Sequence, residues 1–278
     1  MDRGQLGLSG ARCAVLGSPV AHSLSPALHR AAYRHLGLDW QYEAIRVEED
    51  ELAGFLAARG REWRGLSITM PLKARAARLA ERAEPLVRTV GAANTLVRAE
   101  DGVWEGWNTD VPGLVGALAE VDVTRVDAAT VLGGGSTAAS AVAALAGVAG
   151  RVVVCVRTPA RAAALGPVAA AVGLPIEVVG WDEAAARLAA PLVVVTTPAG
   201  AADVWAGSVP AVPGLLLDVV YHPWPTVLAA AWAAAGGRVL GGLDLLVHQA
   251  ALQVRLMTGR DVPVLVLREA GERAMATR

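Results

Sequence analysis

Lysine is almost absent from this chain. Of 25 basic residues only Lys73 is lysine, and the other 24 are arginine. Asparagine is nearly as scarce, occurring at Asn94 and Asn108 alone. The two cysteines, Cys13 and Cys155, form no C-x-x-C pair and no zinc spacing. That excludes a disulfide framework, fits a reducing cytoplasm and leaves no sign of a metal site. A basic excess is missing too: 25 basic against 26 acidic residues give a formal charge of −1. Nothing in that balance argues for nucleic acid or an anionic membrane as partner. The opening M-D-R-G-Q-L-G-L-S-G has no apolar signal core. The span 128–150 carries no charge, but Gly133-Gly134-Gly135-Ser136-Thr137 cuts it in the middle. It reads as a buried strand, a glycine turn and a helix rather than a membrane span.

What is plentiful is apolar material. Of 278 residues 54% are hydrophobic and 18% charged, and the mean hydropathy is +0.42. Such a chain builds one large domain or two modest ones and is not disordered. The surplus also leaves material for a homodimer patch. Scarcity itself carries information. In a chain rich in Ala, Arg and Gly, a surviving lysine stands where arginine cannot serve, because only the amine loses a proton at accessible pH. Taken alone, Lys73 reads equally well as a surface remnant.

The first third alternates strand-like runs (12–17, 40–47, 65–69) with helical stretches (25–36, 48–59, 71–83), followed by a hairpin over 95–98 and 103–106. After a helix at 111–120, near-continuous apolar runs follow at 129–132, 151–156, 176–179, 192–196 and 215–220. Runs of that kind suit a parallel sheet buried on both faces. Helices are predicted to about 148, over 227–235, 243–258 and 264–274. The fold class is α/β in two domains. Residues 1–110 with 242–278 form an α/β substrate domain with a mainly parallel sheet, and 111–241 a Rossmann-type dinucleotide-binding domain.

The run 129–132 leads into a G-x-G-x-x-A pattern at Gly133, Gly135 and Ala138. Its logic is a tight turn, close backbone approach to a pyrophosphate and close helix–strand packing. Gly134, Ser136 and Thr137 complete the turn, and the helix that follows offers free N–H groups to phosphates. A purely structural strand–helix turn gives the same pattern. An NAD site places Asp or Glu at the end of the next strand. Here that strand ends C-V-R-T-P-A-R, with no carboxylate. Arg157, Thr158 and Arg161 suit a 2′-phosphate instead, which favours NADP. As plain surface chemistry, both arginines would be solvated charges.

In G-S-P-V-A-H-S-L-S-P (17–26), Ser25 before Pro26 reads as a helix N-cap. With Ser23 it offers two hydroxyls at a helix start, a natural carboxylate cradle. S-I-T-M-P-L-K (67–73) sets Lys73 just inside a helix start, where the dipole and partial burial both disfavour a cation. That suits an amine which exchanges a proton. G-A-A-N-T-L (91–96) and G-W-N-T-D (106–110) hold both asparagines, and Asp110 falls just before the second domain. Asp110 also reads as a helix N-cap.

Assembled, these residues resemble the shikimate dehydrogenase family over nearly the whole chain. The resemblance is carried by G-S-P-V-A-H-S-L-S-P, T-M-P-L-K, G-A-A-N-T-L, N-T-D, the glycine turn, R-T-P-A-R, D-V-V-Y-H-P-W-P-T (218–226) and G-L-D-L-L-V-H-Q (242–249). It implies reversible reduction of 3-dehydroshikimate to shikimate with NADPH. It implies Lys73 and Asp110 as catalytic pair, and Ser23 and Ser25 on the substrate carboxylate. Thr69, Asn94, Asp110, Tyr221 and Gln249 would meet the ring hydroxyls, with Val219 and Gly242 near the nicotinamide. Two alternatives remain: a quinate/shikimate dehydrogenase with broader substrate or NAD use, and, more distantly, a non-catalytic shikimate-binding sensor. Arg157 argues against the first. The second has no need of both Lys73 and Asp110. Many relatives carry Asn where this chain has Ser67, Val156 and Val195, and Gly and Met where it has Asp244 and Leu245. A carboxylate at 244 would either alter cofactor affinity or point to solvent.

Overall fold

The computed structural model describes residues 10–277, apart from the Arg161 side chain. The chain begins β1 (Arg12–Gly17), α1 (Ser25–His35), β2 (Gln41–Arg46), α2 (Leu52–Ala57), β3 (Trp63–Ile68) and α3 (Lys73–Leu79). It continues β4 (Arg82–Ala83), α4 (Pro85–Val90), β5 (Thr95–Arg98), β6 (Trp104–Trp107) and α5 (Asp110–Ala119). Next come β7 (Ala129–Leu132), α6 (Ser136–Leu145), β8 (Val152–Val156), α7 (Leu165–Val172), β9 (Ile176–Gly180) and α8 (Ala184–Arg187). The last elements are β10 (Leu192–Val195), β11 (Leu215–Asp218), α9 (Val227–Ala234), β12 (Arg238–Leu240), α10 (Gly242–Thr258) and α11 (Val264–Ala276). They form two compact units, one running to Thr109 and resuming at Leu246, the other spanning Asp110–Leu245.

The first unit holds a six-stranded sheet in the order β2-β1-β3-β5-β6-β4. Parallel pairing joins β1 to β2 and β3, and β4 to β6, whereas β5 runs antiparallel to both its neighbours. Leu16, Leu66, Ile68, Leu72 and Leu96 bury a common apolar core with Trp63 and Trp104. One glycine sets how closely α10 lies on this sheet. A Cβ at Gly65 would stand 2.4 Å from Met257 Cγ, so glycine there lets α10 press its side chains onto β3.

The second unit is a six-stranded, wholly parallel sheet ordered β12-β11-β10-β7-β8-β9. Counted along the unit this is 6-5-4-1-2-3, the doubly wound dinucleotide-fold order, with its reversal between β7 and β10. All residues of β7, β10 and β11 are buried, which explains their unbroken apolar runs. Trp232 fills the core beneath β11 and satisfies its Nε1–H on Gly214 O at 2.9 Å.

Several expected elements change. The helix expected over 48–59 begins only at Leu52, after a turn in which the Glu51 carboxylate accepts from the Glu48 N–H at 2.8 Å. The helix expected over 71–83 stops at Leu79, where the chain turns to pair β4 with β6. The elements β4, α4, α7, α8 and β12 escaped sequence reading. Of these α4 had a legible signal, Pro85 in its first turn and Gly91 left-handed at its end.

Gly133, at the end of β7, has φ +126°, and a Cβ there would strike Thr196 Oγ1 at 2.4 Å. Gly133→Ala should therefore lose about 1–3 kcal/mol of stability. Urea unfolding of the purified variant checks this; an unchanged midpoint would show that the turn relaxes freely.

Candidate active site

In the first unit, the ends of β1 and β3 carry adjoining loops. The Ser18 N–H donates to Met70 O at 3.0 Å, and a Cβ on Gly17 would strike the Thr69 methyl. Thr69 is half-buried there, and three residues of turn lead to Lys73, half-buried as the first residue of α3. The Lys73 carbonyl accepts from the Ala93 N–H at 3.0 Å, which ties the head of α3 to the residue before Asn94. Ser25 opens α1 as its first helical residue rather than capping it; Leu24 holds the cap position. The Ser25 amide is met instead by Ser23 Oγ at 3.2 Å, and Ser25 itself is buried.

Asn94 is buried at the start of β5. Its Oδ1 accepts from the Thr109 N–H at 2.8 Å and the Thr95 hydroxyl at 2.9 Å. Its Nδ2 donates to Thr109 Oγ1 at 2.9 Å and to Gln249 Oε1 at 3.3 Å. Sequence-distant groups from β5, the segment after β6, and α10 thus meet at one point. Asp110, the next residue after Thr109, is buried as the first residue of α5 in the second unit.

In the second unit, Gly133, Gly134 and Gly135 form the turn from β7 to α6, at the point where strand order reverses. Gly134 lies against the Val156 side chain, and a Cβ on Gly135 would face open space. Ser136 and Thr137 are the first residues of α6, so their N–H groups lack partners within the helix. Ala138, at the third position of the pattern, is fully buried against the sheet. Nearby, the buried Thr197 Oγ1 has no hydrogen-bond partner. A glycine turn exposed at Gly135, open helix amides and an unsatisfied hydroxyl at a switch point fit a dinucleotide. Arg157 and Thr158 are exposed just beyond β8, with no carboxylate at its end; the Arg161 side chain lies outside the described residues.

The loop after β11 is held by Asp218. Its buried carboxylate accepts from the Val220 N–H at 3.1 Å and the Thr226 hydroxyl at 2.8 Å, while Thr226 Oγ1 caps α9. Burial pushes the Asp218 carboxyl above its usual range, and these two bonds oppose the shift. Val219 and Tyr221, half-buried, lie in the loop so fixed. Gly242 donates to Val220 O at 3.0 Å, and a Cβ on it would stand 2.2 Å from Val219 O.

Two family models match the sequence: the shikimate dehydrogenase substrate binding domain over residues 15–96, and the shikimate 5'-dehydrogenase C-terminal domain over 242–270. The NADP(+) shikimate dehydrogenase of a Thermus thermophilus strain is 38% identical over 269 residues, covering 95% of this chain and 98% of its own. The chain belongs to the shikimate dehydrogenase family. The crystal structure of Mycobacterium tuberculosis shikimate dehydrogenase superposes with a TM-score of 0.86 at 43% identity, covering 96% of this chain and all of that one. The Thermus thermophilus enzyme in complex with NADP(H) and shikimate gives 0.83 at 37% identity, covering 95% and 99%.

Asp244 is half-buried in the first turn of α10. Its carboxylate turns back onto the Gly241 N–H at 2.8 Å and closes the first turn of α10. Val156 and Val195 are buried in their strands. Sequence reading missed Thr109, Thr95, Gln253, Tyr42 and His29. One signal was available: Gln253 follows Gln249 by four residues and so shares its face of α10.

His29 is fully buried, stacked on Tyr42 at 4.1 Å, and bonded through Nε2 to Gln253 Oε1 at 3.2 Å. Burial lowers its pKa from 6.5 to about 4, the Gln253 bond opposing. Between those values the unfolded chain holds the extra proton. The stabilising share is therefore full above pH 6.5 and is lost as pH falls toward 4, the loss reaching about 2 kcal/mol at pH 5. Urea unfolding at pH 7 and pH 5 tests this on wild type and His29→Gln. Wild type should lose more between the two; equal losses would refute the assignment to His29.

Proposed function

We propose that this protein is a cytoplasmic enzyme of aromatic amino-acid biosynthesis that reversibly reduces 3-dehydroshikimate to shikimate with NADPH. The observation that carries the reading is one chain holding both halves of the chemistry. Lys73 heads α3, tied by backbone to the Asn94–Thr109–Gln249 cluster. A phosphate-binding turn and a strand end with arginine and no carboxylate lie in the other unit. Within this reading the unit around Asn94 is the substrate domain and Asp110–Leu245 the NADP domain.

Bound NADPH supplies a hydride for the carbonyl carbon of the substrate. Lys73, as an ammonium, gives a proton from Nζ to the carbonyl oxygen as it becomes an alcohol, and as a neutral amine takes it back in the reverse direction. Asp110 is the second member of the catalytic pair and orients the substrate. Ser23 and Ser25 hold the substrate carboxylate, and Thr69, Asn94, Tyr221 and Gln249 its ring hydroxyls, so the reacting carbonyl is oriented before chemistry begins. Gly133 to Thr137 cradle the pyrophosphate. Arg157 and Thr158 hold the 2′-phosphate. Val219 and Gly242 bound the nicotinamide, and the absence of a Cβ on Gly242 keeps the backbone there close-packed.

The test follows reduced-nicotinamide absorbance with shikimate or quinate and NADP⁺ or NAD⁺. Turnover should be greatest with shikimate and NADP⁺. Lys73→Ala should still bind both ligands yet lose about 10²–10⁴-fold in turnover. Near-normal turnover in that variant would remove the lysine from its role. Arg157→Ala should raise the KM for NADP⁺ about tenfold and leave NAD⁺ unaffected. Comparable wild-type rates with NAD⁺ or quinate would instead mark a broader dehydrogenase.

A further inference from the structure

Behind Asn94 runs an unbroken chain of buried hydrogen bonds, all within the first unit. The Tyr42 hydroxyl donates to Ser67 Oγ at 2.5 Å, and the Ser67 hydroxyl donates to Gln253 Oε1 at 2.6 Å. Gln253 Nε2 donates to Thr95 Oγ1 at 2.9 Å and to the Asn94 carbonyl at 3.2 Å. The Thr95 hydroxyl then donates to Asn94 Oδ1 at 2.9 Å. Gln253 is 1% exposed and Thr95 not at all.

The direction of this chain is forced. A backbone carbonyl only accepts, so the group of Gln253 facing Asn94 O must be its NH₂. Its oxygen must then face Ser67 and His29, which makes His29 Nε2 a donor and leaves Nδ1 bare. Nδ1 is indeed buried without a partner. Since Thr95 accepts from Gln253, its single proton goes to Asn94 Oδ1. The Thr109 N–H, which only donates, reaches the same oxygen. Both constraints place the Asn94 oxygen inward and its NH₂ on the side of Thr109 Oγ1 and Gln249. Hydrogen-bond polarity alone settles which way the amide lies.

We infer that Gln253 is a positioning residue that, through Thr95, locks the Asn94 carboxamide so that it meets substrate as a hydrogen-bond donor only. The inference rests on the proposed function for the identity of the substrate. The N–H that Asn94 gives to Gln249 Oε1 at 3.3 Å is then exchanged for a lone pair of a ring hydroxyl, and a group that needs an acceptor there is rejected. Gln253 never touches substrate; it acts by removing the alternative orientation of Asn94.

The scarcity of asparagine makes this directly observable. Selective ¹⁵N-asparagine labelling gives two side-chain NH₂ pairs, from Asn94 and Asn108, and Asn108→Ser assigns them. Gln253→Leu and Thr95→Val should shift or broaden the Asn94 pair and leave the Asn108 pair in place. Both should raise the KM for shikimate about tenfold, with kcat and NADPH binding changed much less. Thr95→Ser, which keeps the hydroxyl, should restore both readouts. Two results would overturn the inference: an unmoved Asn94 pair, or an unchanged shikimate KM despite a lowered melting temperature. The second would mean that the bonds serve stability alone. If wild type failed to turn over shikimate, the functional reading would fall, and the amide spectrum would still decide whether Gln253 sets Asn94.

Discussion

A buried carboxamide brings two donors and two acceptor lone pairs, and leaving any of them bare costs more than a satisfied bond returns. Asn94 and Gln253 face that demand together, and the fold of the first unit is arranged to meet it. Gly65 admits α10 close enough to β3 for Gln253 to reach between Ser67 and Thr95. The segment after β6 brings the Thr109 amide down onto Asn94. Each partner comes from a different element, so the site is only as well formed as the packing of β3, β5 and α10. Networks of this kind rigidify when complete and are costly when broken, which makes them a natural support for groups that must not rotate.

The second unit solves a different problem with smaller means. Its strands are satisfied internally by parallel pairing, so chemistry is left to the ends of strands and the starts of helices. There the decisive residues are small. Gly133 turns the chain where a side chain would strike Thr196, and Ala138 lets α6 lie against the sheet. Asp218 and Thr226 commit a buried carboxylate and a hydroxyl to shaping the loop that carries Val219 and Tyr221. The Asp244 carboxylate serves a similar end, since it answers the N–H of Gly241 at the head of α10.

How much of this was legible follows from the range of each interaction. The glycine turn, the arginine-ended strand and Lys73 after T-M-P-L were visible because their logic is local and only a few residues long. The parallel sheet was visible because burial on both faces leaves unbroken apolar runs. The two-residue β4 was not, since it pairs only with the distant β6 and leaves no pattern of its own. The Gln253 relay was invisible for the same reason: its members lie at 42, 67, 95 and 253 and meet only when helix and sheet close. Ser25 shows the limit of local rules. Ser before Pro predicts a cap, yet Leu24 takes that position and the buried Ser25 instead gives its amide to Ser23 Oγ.

Rarity in composition singled out two residues that the fold uses in different ways. Asn94 and Asn108 both survive in a chain that otherwise dispenses with asparagine. Asn94 needs an acceptor and a donor on one short planar group, aimed in opposite directions. Aspartate would lack the donors and arginine the acceptor. Asn108 instead sends its side-chain NH₂ to the Ala92 carbonyl at 2.9 Å, while its backbone N–H goes to the Glu84 carboxylate at 2.6 Å. It braces the segment that carries Asn94. A scarce residue therefore signals geometry that no common residue can imitate, and whether that geometry serves binding or bracing is decided only by what the side chain touches.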